Sequence, residues 1–307
     1  MGSRAEDTGR RGPWRQAARR FGRRPEGVVA LAVVLLLFLI GLVAPLLAPY
    51  TVGRLFIELI QTPKPPLTPH HPLGTDVLSR DFATQMLYAI RQTTSSAFIC
   101  AAGATAIGVA IGAIAGYFGG WFGELSTWAT GVVASVPALV VLIIVSIWSR
   151  FPVSPIGYGL WLMVLLWTGV ARVVGSTVAS LRKREYAEAA RAAGASNLRI
   201  LTRHVLPNTS GEIIVAATAV IGQSIVIVAT ADYLYYAYNQ AEKPTLGGLV
   251  SDATHSASLV LTHSASLGDL WWLYVFPTVT LVLLLLAVSV LGDALAEALI
   301  PQRATRS

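Results

Sequence analysis

The sequence predicts an all-α polytopic membrane protein with six transmembrane helices and both termini cytoplasmic. Three observations predict it. Of 307 residues, 54% are hydrophobic and 13% charged, where a soluble domain carries roughly 25% charged residues. Apolar runs long enough to cross a bilayer recur along the chain. Arginine clusters fall where cytoplasmic segments are expected, at the N-terminus, at Arg182-Lys183-Arg184 and at Arg303 and Arg306. The +7 net charge is therefore a topology signal, and no nucleic-acid partner is expected.

The elements follow in order. Residues 1–27 form a basic cytoplasmic tail with eight arginines, suited to lie on anionic lipid through Trp14 and those arginines. The first span is residues 28–48, about 20 apolar residues, enough to cross as helix. Residues 49–93 are an extracytoplasmic loop and amphipathic approach, with Pro63, Pro65 and Pro66 keeping the chain extended. There, HHPLGTDVLSRD (His70 to Asp81) reads as a turn and a helix starting near Asp76.

Residues 94–300 hold the remaining five helices. The second span, about Thr94 to Phe118, has Gly103, Gly108, Gly112 and Gly116 on a small-residue face that lets another helix approach closely. The third, Leu125 to Trp148, is kinked at Pro137. The fourth runs from Gly157 to Leu181, the fifth from Ile213 to Tyr233 and the sixth from Trp271 to Leu295. Tyrosines after the fifth and tryptophans before the sixth mark the outer interface. The loop between them repeats THSASL at Thr254 and Thr262, a local duplication in a tolerant loop. Residues 301–307 are a second cytoplasmic tail.

Between the fourth and fifth spans lies the longest polar segment, EYAEAARAAGASNLRILTRHVLPN (Glu185 to Asn208). Strong helix formers run to Ala193, and Gly194 is placed to end that helix in the left-handed conformation. Ser196 is a fit N-cap for a second helix, and Pro207 stops it. The pair, residues 184–206, reads as a docking element.

The available chemistry is narrow. A phosphate-binding loop needs Gly-Lys-Ser/Thr, and Lys64, Lys183 and Lys243, the only lysines, do not follow glycine. No catalytic residue or metal ligand set emerges, and the histidines of the outer loops read as titrating surface groups. Cys100 has no second cysteine to pair with. Charges at membrane depth cost about 2.5–3.5 kcal/mol at a span's centre. Arg172 is the one charge well inside a span, which assigns it to the pathway or to an ion pair. Asp232, a carboxylate among tyrosines near the outer mouth, and Tyr235 beside it are further pathway candidates.

Glu188-Ala189-Ala190, Gly194, and Leu206-Pro207 resemble the EAA motif of bacterial ABC-importer permeases. His204 stands where the pattern has Ile, a variant of the peptide/nickel branch. HPLGTD (His71 to Asp76) with Arg80-Asp81, GYFGGW (Gly116 to Trp121) and LGDAL (Leu291 to Leu295) fall in the order of the C-type permease of dipeptide and oligopeptide importers. The resemblance covers about Val28 to Pro301. It implies the type I importer permease fold in the bacterial inner membrane and import of di- or oligopeptides by alternating access. Glu185, Glu188, Ala189, Ala190, Arg191, Gly194, Arg199, Leu206 and Pro207 would form the contact with separate ABC ATPase subunits, one or two chains, which carry ATP and Mg. This chain itself would hold no cofactor and catalyse nothing. The other implied partners are a paralogous second permease and a substrate-binding lipoprotein.

Departures from the family pattern are Gly123, Trp128 and Gly131 around the third span and ADYLYYAYN (Ala231 to Asn239) at the end of the fifth. They touch the pathway rather than the docking element, so nickel, glutathione, opine or glycoside cargo stays open. A non-transporting membrane scaffold or sensor is the alternative of a different class.

Overall fold

The computed structural model describes residues 13–52, 63–148, 155–235, 244–261 and 270–299. The described residues are overwhelmingly helical. Helix α1 (Pro13–Gly22) turns at Arg23 into α2 (Pro25–Leu47), whose first turn holds proline, which lacks only an N–H that a helix start leaves free anyway. Glu297 near the far end of the chain pairs with Arg24, so the end of α1 and the start of α2 sit beside the end of the last helix.

After α2 comes α3 (Phe82–Phe118), 37 residues long. It begins at Asp81, whose carboxylate accepts from the Thr84 amide at 2.8 Å, a standard N-cap. The helix start expected near Asp76 is thus five residues late. Asp76 instead closes a turn, accepting from the amides of Leu78 and Arg80 at 3.0 and 2.7 Å. The amphipathic approach and the second span are one continuous helix.

Helices α4 (Gly120–Ala134) and α5 (Ala138–Trp148) meet at 63° across Ser135-Val136-Pro137. Pro137 explains the break: it has no amide to donate and its ring displaces the preceding turn. Together they make the expected kinked third span. Helix α6 (Pro155–Leu181) is the fourth, α10 (Ser210–Tyr235) the fifth, and α12 (Trp271–Leu299) the sixth. Among the described residues, five helices are long and apolar enough to cross a membrane, and the bent pair counted as one span gives six.

The loop before α12 contains a helix the sequence did not suggest, α11 (Leu246–Leu261). Thr245 caps it by accepting from the Gly248 amide, and Leu246, Leu249 and Ala253 are buried. The first THSASL copy starts on this helix, so it is not simply tolerant loop. The second copy lies outside the described residues.

Two apolar clusters hold the fold. One joins α3, α5, α6 and α10 to the Glu185–Asn208 segment through Leu162, Val174, Val178, Ile200 and Val205. The other joins α2, the start of α3, α11 and α12 through Val34, Phe82, Leu249 and Leu284. The α3–α6 contact is the closest in the first. A methyl added at Gly108 would lie 2.6 Å from Val170 Cβ, and one at Gly112 or Gly116 would run into the backbones of Ala171 and Gly175. The small-residue face is spent on this backbone-to-backbone packing.

Candidate coupling site

The segment between α6 and α10 folds as α7 (Glu185–Ala192), α8 (Asn197–Ile200), a wide turn over Leu201–Val205, and α9 (Leu206–Asn208). Gly194, at φ +83°, ends α7 in the left-handed region. Its amide donates to the Arg191 carbonyl and the Ala195 amide to the Ala190 carbonyl, both at 3.0 Å. These two bonds are the complete Schellman pattern, which satisfies the carbonyls an α-helix end leaves free. Ser196 then caps α8, accepting from the Arg199 amide at 3.4 Å. The angle between the arms is therefore set by backbone geometry at residues 193–196.

The second arm does not stop at Pro207. The Leu206 amide donates to the Leu201 carbonyl, five residues back, a π-type turn that absorbs the mismatch where Pro207 has no amide to offer. The helical path continues to Asn208 and breaks at Thr209, which is fully buried.

The segment has two faces. Ala187, Ile200, Leu201 and Val205 are buried in the first apolar cluster, and Ala190, Ala195 and Leu206 pack against it. Glu185, Glu188, Ala189, Arg191, Gly194, Arg199 and Pro207 are exposed. Two apolar side chains that sequence reasoning passed over share the exposed face, Tyr186 at 38% and Leu198 at 66% exposure. Partial burial raises the Tyr186 phenol above its usual value, with Arg184 pulling the other way. It therefore presents a neutral ring. An apolar Leu198 ringed by charge on a polar segment was a readable sign of a contact surface.

The segment is tied to the end of α3. Tyr117 donates to the Asn197 side chain at 3.2 Å, and the Arg182 guanidinium donates to the Tyr117 carbonyl. The segment is thus held to α3 through Tyr117 as well as to α6 and α10 through the chain.

The three residues assigned to the pathway are not brought together. Arg172 is exposed on α6 and lines a groove of about 970 Å³ between α3, α4 and α6. Asp232 is not at an open mouth: it is 2% exposed and accepts from the Tyr158 hydroxyl at 2.8 Å, joining α10 to α6. Tyr235 is the last residue of α10, and its side chain lies outside the described residues.

At the other end of the spans is a buried polar node that the HPLGTD motif only hinted at. Arg80, 5% exposed, meets Asp76 at 2.6 Å and Asp252 of α11 at 3.3 Å. Gln85 donates to Asp76 at 2.8 Å, His71 pairs with Asp81 at 2.9 Å, and Trp272 donates to the Thr75 carbonyl at 3.2 Å. His71 is thus committed to a structural pair.

Comparison with known proteins identifies the family. Residues 108–304 match the family of binding-protein-dependent transport system inner membrane components, and residues 12–77 match the N-terminal TM domain of oligopeptide transport permease C. The oligopeptide transport system permease protein OppC of Mycobacterium tuberculosis is 33% identical over 289 residues, 92% of each chain. The glutathione transport system permease protein GsiD of Escherichia coli is 30% identical over 95% of this chain and 91% of its own. The dipeptide transport system permease protein DppC of Alkalihalophilus pseudofirmus is 30% identical over 94% and 90%. A family match over more than half the chain, and relatives matched almost end to end, place this protein among the inner-membrane components of binding-protein-dependent transport systems.

Proposed function

We propose that the chain is one half of a heterodimeric permease that imports di- or oligopeptides, with both termini in the cytoplasm. A paralogous second permease completes the pathway, and a lipoprotein delivers the cargo from outside. One or two ABC ATPase subunits, carrying ATP and Mg, dock on Glu185 to Asn208. ATP-driven closure of the ATPases moves that element and switches the spans between outward- and inward-facing states. The observation that carries this reading is the two-faced segment itself. Its apolar side is anchored to α3, α6 and α10, its polar side is exposed, and a Schellman turn fixes its angle. A chain with no Gly-Lys-Ser/Thr loop takes its energy from another subunit, and this is the surface built to receive it. The peptide cargo is supported by the names of the oligopeptide and dipeptide relatives. The glutathione relative stays within the same chemistry, since glutathione is itself a tripeptide.

The test is substrate-driven ATP hydrolysis by the purified complex in vesicles. Glu188→Arg places a cation where the docking surface offers a carboxylate. It should abolish stimulation by peptide-loaded binding protein while the chain still inserts. Wild-type stimulation in that variant sinks the docking assignment.

A further inference from the structure

The groove between α3, α4 and α6 has a composition that suits the cargo. At about 970 Å³ it is at the upper end of the roughly 300–1,000 Å³ typical of small-ligand sites. Its walls are small residues such as Ala115, Gly116, Gly175 and Ala179, with hydroxyls from Ser126 and Ser176. The two walls on α3 and α6 are held rigidly, because the helices touch there backbone to backbone. Only two lining residues are charged, and they are of opposite sign: Glu124 on α4 and Arg172 on α6. Both are exposed.

Arg172 is nine residues from the end of α6, a depth of about 14 Å at 1.5 Å per residue. Among the described residues no carboxylate lies within 4.0 Å of it. A guanidinium at such depth needs water or an anion, and the groove provides room for both. A short peptide carries one carboxylate and one ammonium on a compact chain, the same pair of signs that Arg172 and Glu124 offer.

We infer that Arg172 receives the terminal carboxylate of the peptide as it passes this groove, and that Glu124 receives its terminal ammonium. The inference rests on the peptide-import reading and adds residues that discriminate cargo within the permease. Guanidinium and carboxylate match as a two-point, charge-assisted pair. A single such pair at each end holds the cargo in register without trapping it, which a conducting site requires.

The experiment uses the complete complex in vesicles, with binding protein saturated by one of three forms of a tripeptide: free, C-amidated or N-acetylated. Arg172→Gln should lower uptake of the free form about tenfold, the loss of one charge-assisted contact, and lower uptake of the C-amidated form less than about twofold. Glu124→Gln should spare the N-acetylated form in the same way. Equal losses on the free and amidated forms in Arg172→Gln would overturn the inference. They would make the arginine an ion-pair partner of the second permease or of a lipid phosphate. Unchanged uptake of all forms overturns it equally. A wild-type complex that imports none of the three overturns the peptide reading itself, whereas a wild type that imports them with unaltered ratios in both variants overturns this inference alone.

Discussion

Gly194 shows how much one backbone angle decides here. A methyl on it would meet nothing within 4 Å, so space does not require glycine; the +83° φ does. Asparagine tolerates that region, while a β-branched residue is strained there by about 1–3 kcal/mol. Gly194→Asn should therefore keep most of the substrate-driven ATP hydrolysis, and Gly194→Val should lose it, with both chains inserting equally. Equal activity of the two would show that the angle between the arms does not matter. This residue, like the Ser196 cap, was legible in the sequence because its partners are within five positions. Asp232 was not. Its partner Tyr158 is 74 residues away, and the surrounding tyrosines suggested an open mouth where the structure has a buried hydrogen bond. Tyr158→Phe removes that donor and should lower the stability of the detergent-solubilised protein by about 1–3 kcal/mol, measured as a downward shift of Tm. No shift would make the bond incidental.

At the scale of elements, local chemistry sets the starts and stops, and distant contacts decide what a loop becomes. Pro137 gave the α4–α5 break directly. The start of α3 was missed because Asp76 and Asp81 are both acidic residues with capping geometry open to them. Asp76 is taken up by Arg80, Gln85 and two amides, leaving Asp81 to cap. Helix α11 was hidden because its support comes from elsewhere in the chain: Asp252 from Arg80, and Leu246, Leu249 and Ala253 from the second apolar cluster. Breaking a buried ion pair from one side strands the other charge, at a cost of about 3–5 kcal/mol. Arg80→Leu should accordingly lower Tm sharply, and Asp76→Asn added to it should restore part of the loss. A double variant as unstable as the sum of the single ones would deny that Arg80 and Asp76 act as a pair.

For the whole molecule, hydropathy and arginine placement were enough to give six spans, because a bilayer makes every spanning segment declare itself in composition. Which helices touch was not available from composition. The α3–α6 pair uses the glycine face the sequence exposed, but nothing local names the partner helix. Nor does the sequence reveal the division into two apolar clusters, one carrying the coupling segment and the other the polar node and α11. On the proposed function, that division separates the site where energy would arrive from the end where cargo would enter. Six spans would put both termini on one side, and the proposed topology takes that side to be the cytoplasm from Arg182, Lys183 and Arg184. A fluorescent protein fused after Ser307 should then fluoresce, and alkaline phosphatase fused after Leu261 should be active. The reverse pattern would invert the topology and place the coupling segment outside.

The central claim is that the exposed face of α7 and α8 is where a separate ATPase subunit sits. Ala189 is on that face and exposed, whereas Thr254, also exposed, is on α11. The chain's own Cys100 is buried, so an introduced cysteine can be read cleanly. In the assembled complex, a short thiol-to-amine cross-linker should join Ala189→Cys to the ATPase subunit and leave Thr254→Cys unjoined to it. Cross-linking of the ATPase at Thr254→Cys, or its absence at Ala189→Cys in a complex that hydrolyses ATP on demand, would contradict the account.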